Sequence, residues 1–172
     1  NDWLKEKIIR HSNYVDVGAN NGYHTFGFAY AAKKAGHNPK VVAIEPGHRE
    51  ELSVPQNWPA YAGCDFTIMQ KYCSDRTEGN HISLRDAVGD METALIKIDI
   101  EGAEERVMAA AGDLVGNPGY DWCIEIHGDQ RIPIIAKYFC DAGRPFLIKD
   151  MGPLPIIGPE HRPLHTTWLL TI

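Results

Sequence analysis

Short apolar runs alternate with amphipathic segments along the chain, and this pattern predicts strands and helices in turn. The predicted strands cover residues 14–17, 41–44, 66–69, 94–100, 121–126, 146–148 and 167–170. The predicted helices cover residues 1–11, 23–36, 101–112 and 133–143. Residues 74–90 are polar and without a clear period, so we expect irregular structure there. A second loop is expected in the proline-rich stretch at residues 152–163.

This alternation favours an α/β fold in which one mostly parallel sheet of seven strands carries helices on both faces. The last two strands follow each other without a helix, which predicts an antiparallel hairpin at one edge. The length of 172 residues is typical of one domain. We expect a single domain over residues 1–172 and leave open that it is part of a longer protein. Open sheets of this kind bind ligands beyond the carboxyl ends of their strands.

The loop after the first strand has the pattern D-x-G-x-N-x-G, formed by Asp16, Gly18, Asn20 and Gly22. It matches neither the dinucleotide pattern G-x-G-x-x-G nor the phosphate-binding G-x-x-x-x-G-K pattern. Both phosphate-binding interpretations are therefore weakened, and S-adenosylmethionine is the alternative cofactor. Asp16 is expected to bind its ammonium, directly or through water, and backbone N–H groups near Gly18 its carboxylate. A glycine-rich turn without a ligand is the alternative.

Glu45 and Pro46 follow the second strand. A carboxylate at this place can accept both hydroxyls of a ribose. Capping of a following helix is the alternative role of Glu45. Together with the first loop, Glu45 favours a nucleoside cofactor.

The fourth predicted strand ends in charged residues, although central parallel strands are normally apolar throughout. Alternation along the strand places Lys97, Asp99 and Glu101 on one side. Burial of these charges costs free energy unless they are paired or face a cleft. The alternatives are an ion pair between Lys97 and Asp99 and a helix-terminal role for Glu104.

The fifth strand ends in Glu125 and His127, which share a face. We expect both to converge with Asp99 and Glu101 where a methyl acceptor would lie. His127 suits the role of general base because imidazole titrates near neutral pH. The alternative to a general base is a metal site, because Asp99, Glu125 and His127 together also form a set of ligands for magnesium or manganese. A simple hydrogen bond from His127 to a neighbouring carboxylate is the third interpretation.

These motifs resemble those of the FkbM-type methyltransferases. The matching segments are V-D-V-G-A-N-N-G-Y at 15–23, A-I-E-P at 43–46, I-K-I-D-I-E-G-A-E at 96–104 and I-E-I-H at 124–127. S-L-R-D at 83–86 departs from the family's T-L-D-D, and the chain after residue 152 matches weakly. The resemblance implies a Rossmann-like class I methyltransferase fold, S-adenosylmethionine as donor, and O-methylation of a sugar, glycan or natural-product hydroxyl.

The predicted site follows from the motifs and the resemblance together. Cofactor contacts are expected from Asp16, Gly18, Ala19, Asn20, Gly22, Glu45, Pro46 and Asp99. Catalytic roles are expected for Lys97, Asp99, Glu125 and His127. Two other functions stay open at this point: an NAD-dependent oxidoreductase, and a non-catalytic module that binds a nucleoside cofactor.

Composition narrows the class of partner. The net charge is −6 and the sequence pI about 5.7, and no basic block indicates nucleic-acid binding. No apolar run reaches the roughly 20 residues of a membrane helix. We therefore expect a small-molecule or glycan acceptor, no nucleic-acid partner and no membrane. Cys64, Cys73, Cys123 and Cys140 form no C-x-x-C pair, which favours a reducing, cytoplasmic location. The oligomeric state stays open.

Overall fold

The computed structural model describes residues 2–53, 55–150 and 166–172, which form nine strands and five α-helices. The strands are β1 Asn13–Val17, β2 Lys40–Ile44, β3 Asp65–Met69, β4 Tyr72–Ser74, β5 His81–Ser83, β6 Ala94–Ile98, β7 Tyr120–His127, β8 Phe146–Asp150 and β9 Thr166–Thr171. The helices are α1 Asp2–Arg10, α2 Tyr23–Lys34, α3 Leu84–Val88, α4 Glu104–Ala111 and α5 Ile132–Asp141. Short 3-10 turns lie at Glu50–Leu52, Pro55–Asn57, Pro59–Tyr61, Gly112–Leu114 and Asp129–Arg131.

Seven strands form one sheet in the order β3-β2-β1-β6-β7-β9-β8. The first five strands of this order pair in parallel, whereas β9 pairs antiparallel with both β7 and β8. The predicted parallel sheet with a C-terminal antiparallel hairpin is therefore confirmed. Strand order reverses between β1 and β6, so their carboxyl ends border the crevice where such sheets bind ligands.

Helices cover both faces of the sheet, which explains why its central strands are apolar on both sides. On one face α3, α4 and α5 pack on the sheet around Trp122 and Phe139, both fully buried. On the other face α1 and α2 pack on β1, β2 and β6, where the rings of Tyr14 and Phe28 stack with centroids 4.4 Å apart.

A buried carboxylate, Asp121, fixes α1 to the sheet. Its Oδ2 lies 2.8 Å from Nε2 of His11 and 3.4 Å from Nζ of Lys7, and its Oδ1 accepts a hydrogen bond from Thr171. Burial raises the pKa of Asp121, but the His11 hydrogen bond and the Lys7 charge outweigh it and leave the pKa well below its usual range. Asp121 is therefore charged, and its contacts with Lys7 and His11 hold α1 against the sheet.

Three sequence expectations about local structure were wrong. Residues 74–90 are not irregular, because β5 pairs with β4 in a second small sheet and α3 follows directly. Ser83 caps α3 by accepting a hydrogen bond from the Asp86 N–H, and Leu84 and Val88 are buried. The fourth long strand ends at Ile98 rather than at residue 100, and the next helix begins at Glu104 rather than at residue 101.

The loop predicted at residues 152–163 lies outside the described residues. Within the described part of the chain, no helix is long and apolar enough to cross a membrane.

Candidate functional site

The loop between β1 and α2 turns sharply over the end of β2. The N–H groups of Gly18 and Ala19 donate to the carbonyl of Ile44 at 2.9 and 3.1 Å, and Lys97 Nζ donates to the carbonyl of Gly18. The expectation that N–H groups near Gly18 would meet a ligand carboxylate was therefore wrong for these two. Gly18 is required for packing: its φ is +80°, and an added Cβ would lie 1.8 Å from the backbone oxygen of Asp99.

Glu45 joins this loop to the loop after β2. Its Oε2 accepts a hydrogen bond from the Asn20 N–H at 3.0 Å, and its Oε1 accepts one from the Gly47 N–H at 2.9 Å. Asn20 has the left-handed backbone that lets its N–H reach this carboxylate (φ +48°). Because each carboxylate oxygen has a second lone pair, Glu45 is held in place and can still accept two further hydrogen bonds.

A cavity of about 490 Å³ opens beside Glu45 at the carboxyl ends of β1, β2 and β6. Its lining comprises Val17, Gly18, Asn20, Ile44, Glu45, Pro46, Arg49, Lys71, Tyr72, Cys73, Asp99, Ile100, Glu101 and Ala103. We call it the donor cavity. Its volume is in the range of small-molecule and cofactor sites. The apolar walls suit a nucleobase and Glu45 suits a vicinal diol, so the residues present fit S-adenosylmethionine.

Three of the predicted cofactor residues lie behind this lining. Ala19 is buried in the core. Gly22 begins α2 with a φ of +83°, and an added Cβ would lie 2.6 Å from the ring of Phe26. Asp16 is fully buried: its Oδ2 accepts from Thr25 Oγ at 2.7 Å and its Oδ1 from Lys97 Nζ at 3.1 Å. The direct contact of Asp16 with a ligand ammonium stays a prediction.

Lys97 lies between two carboxylates. Its Nζ is 3.1 Å from Asp16 Oδ1 and 3.4 Å from Asp99 Oδ2, and the side chain is almost completely buried. Burial lowers the pKa of Lys97, but Asp16 and Asp99 raise it more, so the pKa lies above its usual value. Lys97 is therefore held in its charged form, and its contribution to a reaction is electrostatic rather than that of a base.

The side chains of Asp99, Glu125 and His127 converge next to Lys97, with one ligand atom of each within 4.8 Å of the others. His127 Nε2 lies 3.6 Å from Asp99 Oδ1 and 4.0 Å from Glu125 Oε1. We call these three residues the acidic triad. Two carboxylates and an imidazole form an acceptable donor set for manganese, whereas magnesium prefers oxygen ligands alone.

Glu101 does not join the acidic triad. Because β6 ends at Ile98, the alternation that was expected to align Glu101 with Lys97 and Asp99 stops there. Glu101 has a left-handed backbone (φ +41°), is exposed, and lines the donor cavity instead.

A helix-terminal role was the alternative considered for Glu104, and the structure shows a further contact. Glu104 is fully buried at the start of α4, and its Oε1 accepts hydrogen bonds from His127 Nδ1 at 2.7 Å and from the Gly102 N–H at 3.0 Å. Within the described residues, its Oε2 is buried without a hydrogen-bond partner. The hydrogen bond from His127 points Nε2 toward Asp99 and Glu125.

This carboxylate also sets the charge of His127. The Glu104 hydrogen bond raises the pKa of His127, burial lowers it, and the charges of Glu104, Asp99 and Glu125 raise it further, so that it lies above its usual value. The sequence signal for this pairing was the last residue of the segment at 96–104, which places an acid at the first turn of α4. No sequence pattern identified Lys71, Tyr72 and Cys73 as residues of the donor cavity, because β4 was not predicted.

Comparisons with known proteins show which fold this is. The sequence matches no protein-family model and no curated protein at a significant level. The structure is similar to that of the methyltransferase FkbM from Methylobacillus flagellatus KT, with a TM-score of 0.67, 18% identity and 92% of this chain covered. The chain spans 43% of the length of that protein.

A second similar structure is the precorrin-6y C5,15-methyltransferase from Geobacter metallireducens GS-15. The TM-score is 0.57 and the identity 13%, with coverage of 98% of this chain and 84% of the other. At these identities the likeness concerns the fold, which is the Rossmann-like arrangement of known methyltransferases.

Proposed function

We propose that this chain is an S-adenosylmethionine-dependent methyltransferase that O-methylates a hydroxyl on a sugar, glycan or natural product. The observation that carries the proposal is the position of Asp99. It lines the donor cavity, and it also belongs to the acidic triad, with its Oδ1 3.6 Å from His127 Nε2. A cofactor site and a proton-accepting group therefore share one wall. The fold of the two methyltransferase structures supports the same class.

The donor cavity would hold the cofactor through Glu45 at the ribose hydroxyls and through apolar contacts with Ile44, Pro46 and Ile100. S-adenosylmethionine supplies an electrophilic methyl group on its sulfonium. Asp99 lines the cavity whereas Asp16 is buried behind its wall, so we assign the direct contact with the cofactor's ammonium to Asp99. Asp16 acts from behind by holding Lys97, which in turn holds Asp99.

His127 is the proposed base. Neutral His127 accepts the proton of the acceptor hydroxyl at Nε2. Nδ1 does not take this role, because it donates a hydrogen bond to the Glu104 carboxylate. Correct placement of the hydroxyl in line with the methyl group supplies a further part of the rate. A manganese or magnesium ion on the acidic triad is the alternative way to lower the hydroxyl pKa.

The NAD-dependent reading is weaker because the first loop lacks the G-x-G-x-x-G pattern. A thermal-shift experiment with NAD discriminates between the two cofactors, since NAD should leave the melting temperature unchanged.

The test of the proposed function is methyl transfer from labelled S-adenosylmethionine to a panel of monosaccharides, glycans and phenols, with release of S-adenosylhomocysteine as the readout.

We expect His127→Gln to lower kcat by about 100-fold or more, the size of a general-base contribution, with cofactor affinity retained. His37→Gln, at the far end of α2, is the matched control. Loss of activity with EDTA and its return with manganese would move the deprotonation to a metal. Cofactor binding without transfer to any acceptor would contradict the enzyme and support a binding module.

A further inference from the structure

A second cavity, of about 390 Å³, lies on the sheet face that α1 and α2 cover only in part. The lining residues that carry the argument are Trp3, Tyr14, Lys97, Cys123, Lys149 and Trp168. The strand residues among these face the same way, as the register pairs Lys97 with Cys123 and Cys123 with Leu170. We call it the second cavity.

The second cavity meets the donor cavity at one ion pair. Lys97 lines the second cavity, Asp99 lines the donor cavity, and the two side chains are 3.4 Å apart. Cys123, in its floor, precedes Glu125 by two residues on the same strand face. The two cavities therefore meet at the Lys97–Asp99 pair, and the strand face that carries Cys123 leads from the second cavity to Glu125 of the acidic triad.

The chemistry of the lining indicates which class of molecule can bind in the second cavity. Leu4, Leu95 and Leu170 make much of the wall apolar, and aromatic rings come from Trp3, Tyr14 and Trp168. A hydroxyl that is buried against apolar groups without a hydrogen-bond partner costs free energy, so this wall disfavours a polyhydroxylated sugar. Stacking on aromatic rings favours a flat apolar ring system.

Trp168 occupies a particular place in this floor. In the register of the sheet it pairs with Glu125 of β7 on one side and with Lys149 of β8 on the other. Two strand spacings separate Glu125 from Lys149, which is roughly 10 Å. Lys149 is exposed and has no ion-pair partner among the described residues. A ring lying over Trp168 thus has a cation at one edge and the acidic triad at the other.

We propose that the second cavity is the acceptor site and that it takes a hydroxylated aromatic carboxylate. The ring stacks on Trp168, the carboxylate pairs with Lys149, and the hydroxyl points toward Glu125 and His127. This inference rests on the proposed function and narrows its acceptor from a sugar, glycan or natural product to a natural product that is an aromatic acid.

Calorimetric titration of the full chain in the presence of S-adenosylhomocysteine tests this site with three probes: 6-hydroxy-2-naphthoate, neutral 2-naphthol and methyl glucoside. We expect the naphthoate to bind at least tenfold more tightly than either other probe. Lys149→Met should remove that advantage, with Lys137→Met on the opposite sheet face as the control. Trp168→Ala should weaken both naphthalene probes, with Trp58→Ala as the control, since Trp58 lines neither cavity.

Methyl glucoside binding as tightly as the naphthoate would overturn the proposal, and so would naphthoate binding that is insensitive to both Lys149→Met and Trp168→Ala. S-adenosylhomocysteine is titrated separately into the same samples. If it binds while the naphthoate does not, the acceptor assignment fails and the proposed function survives. If S-adenosylhomocysteine itself does not bind, the proposed function fails.

Discussion

Nδ1 of His127 lies 2.7 Å from Oε1 of Glu104, a carboxylate that is completely buried at the start of α4. This contact orients the imidazole and raises the pKa of His127. In a methyltransferase whose base is His127, the reaction therefore accelerates as the pH rises through that raised pKa.

Substitution Glu104→Gln keeps an oxygen for Nδ1 but removes the charge. We expect the pKa of His127 to fall, because the largest cause of its elevation is the bond to Glu104. The alkaline rise of kcat should move to lower pH by the same amount. Histidine signals followed by NMR during a pH titration measure the first effect, and Glu105→Gln in the same helical turn is the control. An unchanged His127 pKa would show that Glu104 serves only packing.

The same pair predicts a pH window of stability. Because the pKa of His127 is raised, protonation of this residue stabilises the fold. The stabilisation is complete below pH 6.5, the usual pKa of histidine, and is lost as the pH rises through the folded-state pKa. The pKa of Glu104 is lowered overall, although burial opposes this, because it accepts hydrogen bonds from His127 and Gly102. Its contribution is present above 4.5 and is lost as the pH falls through the folded-state pKa. The difference in unfolding free energy between the wild type and His127→Gln should therefore be largest between these two values. A difference that grows above pH 8 would contradict this.

Gly18→Ala should destabilise the fold more than a positive φ alone would. A Cβ at φ +80° costs about 1–2 kcal/mol and would also lie 1.8 Å from the oxygen of Asp99. Gly36→Ala is a matched control, because Gly36 has a φ of +91° and open space around the added Cβ. Urea denaturation of both variants should show a loss above about 3 kcal/mol for Gly18→Ala and a smaller one for Gly36→Ala. Equal losses would mean that the β1 loop is not packed on Asp99.

Asp121→Asn should cost about 3–5 kcal/mol, the usual penalty for breaking a buried ion pair from one side. Lys7 would remain buried without the Asp121 charge, and His11 would lose a charged hydrogen-bond partner. The exposed pair of Lys137 and Asp141 offers the comparison, and Asp141→Asn should cost less than about 1 kcal/mol. Similar losses in the two variants would show that α1 is not anchored by Asp121.

Glu45→Ala should weaken S-adenosylhomocysteine binding by about 1–3 kcal/mol, since hydrogen bonds at a largely buried carboxylate are lost. This corresponds to a roughly 5- to 150-fold rise in Kd. Glu51→Ala, in the exposed 3-10 turn nearby, should leave the Kd unchanged. An unaltered Kd for Glu45→Ala would remove Glu45 from the ribose role.

The sequence predicted the sheet well because strongly apolar strands and glycine-punctuated turns are local signals. It also placed Glu45, Asp99, Glu125 and His127 at strand ends, where parallel topology brings them to one edge. The second small sheet and α3 were missed because β4 and β5 have three residues each and no period to detect. The burial of Asp16 depends on a contact with Lys97, which is 81 residues away in the chain. Glu104 pairs with His127 across 23 residues. Neither contact has a local sequence signal.

The central claim is that the cavity beside Glu45 binds S-adenosylmethionine, and calorimetric titration of the wild-type chain with S-adenosylhomocysteine tests it most directly. The titration is run with EDTA and again with magnesium or manganese. We predict micromolar binding at one site per chain, with an affinity that is the same under all conditions if His127 alone is the base. The absence of binding, in a sample whose circular dichroism shows a folded α/β protein, would contradict the methyltransferase account.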